Sequence, residues 1–153
     1  MTGMSSAQHA PDGVLLPSDS NEKLHRSATP KQFLDNGEPS FQIFLPNKEV
    51  DDYLLSVYRD SIMNAEAAYC HRIQLPNRYS AGIFSVLISE CGHECLDVYF
   101  SPVADDKANN IPANPAHSDI NFQPYSLDKK TRKAKAQLLL DYAIKRGMTY
   151  RPS

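Results

Sequence analysis

Residues 53–73 read YLLSVYRDSIMNAEAAYCHRI, and a change of period inside this stretch decides the fold class. Its first part is an apolar, β-branched and aromatic run, which predicts a strand over 54–58. Its second part is rich in helix formers. Asp60 or Ser61 stands as N-cap, the helix is expected to run to about residue 73, and Pro76 ends it. Ile62, Ala65, Tyr69 and Ile73 fall at three- and four-residue steps, a face suited to packing on a sheet.

Working outward, KLHR (23–26) predicts a short first strand. TPKQFLDNG (29–37) predicts one or two helical turns, with Thr29 as cap, Pro30 at the first helical position and Gly37 beyond the end. SFQIF (40–44) alternates as a half-buried strand closed by Pro46, and NKEVDD is a polar loop. Downstream, SAGIFSVLIS (80–89) is the most apolar run and reads as a central strand. ECGHE (90–94) reads as a turn, and CLDVYFSPV (95–103) as the antiparallel neighbour. DINF (119–122) could add an edge strand. A last helix is expected over 127–146, capped by Ser126 and stopped at Gly147, with Ala136, Leu139, Leu140, Ala143 and Ile144 as its apolar stripe. This irregular order predicts an α+β fold: a mainly antiparallel sheet with two helices packed on one face.

At 153 residues, 41% hydrophobic and 22% charged, the chain fits one domain of ordinary composition. Residues 1–22 hold only the apolar island VLL, so they are expected to form a disordered arm ahead of a single domain over 23–153. No stretch has the roughly 18–20 apolar residues of a membrane helix, and the first residues lack the pattern of a signal peptide. A cytoplasmic location without membrane association is therefore expected, with Cys70, Cys91 and Cys95 as reduced thiols.

The net charge of −2 conceals a division. Residues 1–125 carry 8 Lys/Arg against 16 Asp/Glu, and residues 126–153 carry 8 against 2, so a basic segment follows an acidic body. Such a segment either docks on its own domain or meets an acidic partner. Nucleic acid through Lys129, Lys130, Arg132, Lys133 and Lys135 is the less favoured case, because no aromatic residue for base stacking lies among them before Tyr142.

LHRSATPKQFLDNG (24–37), LLSVYRDSIMNAEAAY (54–69), SAGIFSV (80–86) and NPAHSDI (114–120), taken in that order, resemble a pattern of small uncharacterised bacterial proteins with an NPAH-type motif. That resemblance implies no activity and no site residue. A second likeness is to ADP-ribosyltransferase-like and RES-type folds, in which a strand bearing His or Arg holds the nicotinamide dinucleotide. It implies roles for His25, Arg26, Ser56 and Tyr58, completed by Glu90 or Glu94.

Three constellations carry chemistry. CGHEC offers Cys91, His93 and Cys95, but its spacing does not match the paired ligands of tetrahedral zinc, so no metal is expected. A cysteine nucleophile activated by His117 and oriented by Asp119 has the needed residue types. Finally, Pro112 and Pro115 stiffen the stretch NIPANPAHSDINF, presenting His117, Asn114 and Asp119 on a rigid loop of the kind that serves recognition. There is no P-loop or dinucleotide fingerprint, and no cofactor is expected. The expected function is that of a small binding or accessory protein that meets a protein partner through the NPAH loop and the basic helix (Lys129, Lys130, Arg132, Lys133). The alternatives are an NAD-using enzyme with His25, Arg26, Tyr58 and His117 as candidate catalytic residues, or a nucleic-acid-binding protein.

Overall fold

A computed structural model describes residues 11, 13–48 and 52–153. Its core is one antiparallel sheet of β1 (Val14–Leu15), β2 (Lys23–Ala28), β3 (Leu54–Arg59), β4 (Gly82–Leu87), β5 (Asp97–Phe100) and β6 (His117–Asn121). The spatial order is β1-β5-β6-β3-β2-β4. Among the described residues three helices accompany it: α1 (Ala65–Gln74), the short α2 (Ile88–His93) and α3 (Lys129–Arg146). The fold is α+β, and no helix among the described residues is long and apolar enough to cross a membrane.

Alternation along the strands gives the sheet two unlike faces. One carries Leu24, Ala28, Leu55, Val57, Phe84, Val86, Val98 and Ile120, all buried in the main core. Ala136, Leu139, Leu140 and Ala143 of α3 close over it, while Ile144, expected in the same stripe, is exposed. The other face is polar. The registers align Ser85, His25, Tyr58 and His117 as one rung across β4, β2, β3 and β6. Over that face lies α1, through Ala68 packed with Tyr58 and Ile83. The two longer helices therefore do not share a face, because the sheet has an apolar side for α3 and a hydrogen-bonding side for α1.

Several elements depart from the sequence reading for identifiable reasons. SFQIF is not a strand: Phe41–Phe44 forms a 3₁₀ turn, started by the Ser40 hydroxyl accepting from the Gln42 amide, and both Ile43 and Phe44 are fully buried. TPKQFLDNG, by contrast, forms one helical turn as expected, the 3₁₀ turn Pro30–Gln32 with Thr29 as N-cap and Pro30 first, and the Gln32 side chain is bonded back to the Thr29 amide at 2.9 Å. Helix α1 starts at Ala65 under an Asn64 cap rather than at residue 61, since Asp60 is drawn to His25. Ile62 and Ile73 are consequently exposed, and the inward residues of α1 are Ala68 and His71. Asp128, not Ser126, caps α3 through the Thr131 amide at 3.0 Å, and the stop at Gly147 stands.

The strand order also differs. SAGIFSV does not pair with CLDVYF; ECGH belongs to α2, which carries the chain from β4 at one end of the sheet toward β5 near the other. Instead of an edge, β6 occupies a place between β5 and β3. Part of the expected arm is structured: Val14 and Leu15 pair with Phe100 and Tyr99, and Leu16 is buried in the core. Gly13 makes that pairing feasible. At φ +93° its ideal Cβ would stand 2.0 Å from the Phe100 carbonyl oxygen, so a side chain there would push β1 off the sheet. Residues 1–10 and 12 of that arm, and residues 49–51 of the polar loop, lie outside the described residues.

Two buried or partly buried titratable groups tie β2 to its surroundings. Glu22 receives a fork from Arg59 (3.1 and 2.7 Å) and the Ser61 amide (2.9 Å), which holds its carboxyl near 2 instead of the ordinary 4.5. Burial lowers the proton affinity of His25 below its ordinary 6.5, against the pull of Asp60. Both shifts mean that the unfolded chain binds more protons in acid. The His25 contribution is present above pH 6.5 and declines as the pH falls below it. The Glu22 contribution is present above 4.5 and is lost toward pH 2. Glu22→Gln is expected to cost about 1–2 kcal/mol at pH 7, after allowance for solvent screening, and to flatten the dependence below pH 4.5. Urea titrations at successive pH values measure both effects.

Candidate functional site

Strands β2 and β3 pair only through Leu24–Arg59 and His25–Tyr58, then separate. Arg26 fills the split: its Nε donates to the Ile43 carbonyl and its Nη1 to the Ser56 carbonyl, both at 2.9 Å. A cavity of about 180 Å³ opens there, bounded by β2, β3 and β6, by α1 and by the loop before β6. Arg26, Ser56, Tyr58, His71, Arg72, Asn114 and His117 contribute its polar lining, and Leu75, Val103, Ile111 and Pro112 its apolar part.

Fixed hydrogen bonds orient these groups. The Tyr58 hydroxyl donates to His71 Nδ1 at 2.8 Å, and His71 Nε2 donates to the Ala113 carbonyl at 3.0 Å, joining strand, helix and loop. Burial raises the Tyr58 phenol to about 12, partly countered by the positive charges of Arg72 and Arg26. At pH 7 Tyr58 is therefore a neutral donor. His117 Nδ1 donates to the Ser101 carbonyl at 2.8 Å, which leaves Nε2 to accept from the Ser56 hydroxyl at 3.2 Å. Asp119 Oδ1 lies 3.5 Å from the same Nε2, and its Oδ2 accepts from the Ser101 hydroxyl at 3.1 Å. The loop is braced by the Val103–Asn114 bridge, and the Asn114 carbonyl side chain accepts from the Ala116 amide at 3.2 Å. Proline stiffening and these bonds together make NPAH a fixed wall of the cavity.

Arg26, Tyr58, Asn114 and His117 thus meet around one cavity, with Asp119 beside His117. His25 shares the rung but turns away. Its Nε2 donates to Asp60 at 2.8 Å and its Nδ1 accepts from Ser85 at 2.7 Å. Glu90 is elsewhere, forked to Arg146 at 3.1 and 2.8 Å, and Glu94 accepts from Tyr142. Neither completes the acidic position that the ADP-ribosyltransferase-like resemblance calls for. The cysteine nucleophile is not assembled: Cys91 is fully buried in the main core, its thiol pushed up by burial, and Cys70 and Cys95 are exposed apart from it. Among the described residues no group of three or more His, Cys, Asp or Glu is placed to hold a metal ion.

The basic helix is partly spent on its own body. Arg132 donates to the Tyr125 and Ser126 carbonyls and lies over the Tyr53 ring at 4.7 Å; Lys135 donates to the Glu94 carbonyl. Lys133 lies 5.9 Å from the centre of the Phe41 ring, and Lys129 and Lys130 are exposed in the first turn of α3.

Sequence reasoning did not place His71 or Arg72 at a cavity, and gave Ser56 no role of its own beside His117. One signal was present: Ser56 and Tyr58 share a strand face by their two-residue spacing. Compared with protein families, with curated proteins and with solved structures, the chain finds no match, and the site is argued on its own geometry.

Proposed function

We propose that this chain is a small-molecule-binding protein of the cytosol whose cavity takes a compact anionic group, a phosphate or a carboxylate, against a wall formed by the NPAH loop. The supporting observation is that residues from five separate segments, with two arginines, Arg26 and Arg72, among them, line one cavity. Guanidinium matches planar or tetrahedral oxyanions, and Tyr58, His117 and Asn114 supply further polar atoms for orientation. At about 180 Å³ the cavity falls below the roughly 300–1,000 Å³ of drug-sized sites, so it suits the head of a ligand whose remainder rests on Val103, Ile111 and Pro112. The accessory role expected from the basic helix is retained as part of this proposal only for its exposed Lys129 and Lys130.

A second reading has one specific observation in its favour. Arg26, Ser56 and Tyr58 gather in the cavity as the NAD-using resemblance implies, although neither expected glutamate joins them. Thermal unfolding with inorganic phosphate, pyrophosphate, succinate and NAD tests both. Ligand at about 100 times its Kd should stabilise by roughly 2.7 kcal/mol, which for a domain of this size raises Tm by about 5–10 °C. The shift should vanish in Arg72→Met. A Tm that none of these ligands moves would sink the binding reading. A shift confined to NAD, with nicotinamide released, would favour the enzyme.

A further inference from the structure

We propose that Ser56 and His117 are a nucleophile and its base, cleaving a small carboxylic ester whose anionic portion occupies the cavity. The inference rests on the anion-binding reading above and adds a reaction to it.

The geometry has three parts. Ser56 Oγ stands 3.2 Å from His117 Nε2, within the reach expected of a resting nucleophile and base. The ring is held in the productive tautomer from behind, because Nδ1–H is engaged by the Ser101 carbonyl at 2.8 Å. A carboxylate, Asp119, lies 3.5 Å from Nε2, where it offsets the positive charge that appears once the imidazole takes a proton. Other serines on the strands do not qualify. Ser85 and Ser118 are fully buried, and Ser27 donates to Ser80, whereas Ser56 is half-buried and lines the cavity.

In the first half-reaction the Ser56 proton passes to His117 Nε2 as Oγ bonds to the carbonyl carbon, whose π pair moves onto its oxygen. Arg26 and Arg72 on the cavity wall counter that oxyanion charge. Collapse breaks the bond to the alcohol oxygen, which leaves with the proton from His117. Water then follows the same route: its proton goes to Nε2 and its oxygen bonds to the acyl carbon, the bond between that carbon and Ser56 Oγ breaks, Oγ takes the proton back from Nε2, and the carboxylic acid departs. The apolar residues Leu75, Val103 and Ile111 suit a short acyl chain.

The test uses the full-length protein and a fluorophosphonate probe, with the adduct located by peptide mass mapping. One adduct per chain at Ser56 is expected, together with turnover of the p-nitrophenyl monoester of succinate. His117→Gln should lower the labelling rate at least about 100-fold, and Ser56→Ala should abolish both signals. Absence of an adduct on the folded wild-type protein, an adduct at another residue, or equal labelling of His117→Gln would overturn the pair. Mapping on the wild type decides the matter even if a variant fails to fold. Phosphate binding without a Ser56 adduct would remove the reaction and keep the pocket. An adduct at Ser56 in a protein that binds no anion would keep the pair and remove the reading of the cavity.

Discussion

Phe44→Ala should lower the unfolding free energy by about 3–5 kcal/mol, and Ile43→Ala by about 2–5 kcal/mol, both read as a reduced urea midpoint at unchanged slope. The pair of substitutions discriminates between two local structures. Along a strand, adjacent side chains point to opposite faces, so only one of the two could be costly. In the 3₁₀ turn Phe41–Phe44 both side chains are fully buried, beneath the face of α3 that carries Leu139 and Leu140. Truncating either leaves a void in the main core, because α3 is held over the turn by its own bonds, Lys135 to the Glu94 carbonyl and Arg146 to Glu90. A large loss at Phe44 with none at Ile43 would restore the strand.

The same stretch marks where reading from sequence fails, and other elements show where it succeeds. Strand β3 and helix α3 were legible because each is a long segment whose apolar spacing has one physical solution. Gly147 was legible because a glycine after the stripe meets the backbone demand at a helix end, here φ +86°. SFQIF was misread because five residues with two aromatic positions fit either period, and the choice is made by α3, some ninety residues away. Pairing order was illegible for a related reason. Nothing local states that β4 should pair with β2, or that β1 should find β5; the partner is selected by which apolar surfaces remain uncovered after the rest has formed.

The site divides in the same way. Tyr58 and His117 were legible as residue types in exposed or strand-end positions, but their adjacency follows from the β3–β6 register, in which Tyr58 faces His117 and Ser56 faces Asp119. The place of His71 at the cavity was hidden because a histidine on a helix with few inward residues has no pattern that points to one partner. It becomes informative only through Tyr58 and the Ala113 carbonyl on either side. The basic helix was read from the residue types of Lys129, Lys130, Arg132 and Lys133 alone. In the structure Arg132, Lys135 and Arg146 serve the body itself, while Tyr58, His71 and His117 lie on the opposite face of the sheet.

Arg26→Met should cost about 2–4 kcal/mol and, on the anion-binding reading, abolish the stabilisation by phosphate, even though methionine preserves much of the side-chain volume. Arg26 joins the split of the sheet to both the Phe41–Phe44 turn and the cavity. Its loss leaves the Ile43 and Ser56 carbonyls to find other donors where the strands have already parted. A charged donor to such a group is worth about 1.5–3 kcal/mol, and two of them do not add fully because they share one guanidinium. Arg26→Lys separates the two roles. Lysine keeps the positive charge but cannot span both carbonyls with a planar fork, so it should recover part of the anion affinity while losing most of the stability. If Arg26→Lys were as stable as the wild type, the guanidinium would not be what holds β3 apart from β2. The cavity would then be a consequence of the strand twist alone, and its cationic lining would have to be attributed to Arg72.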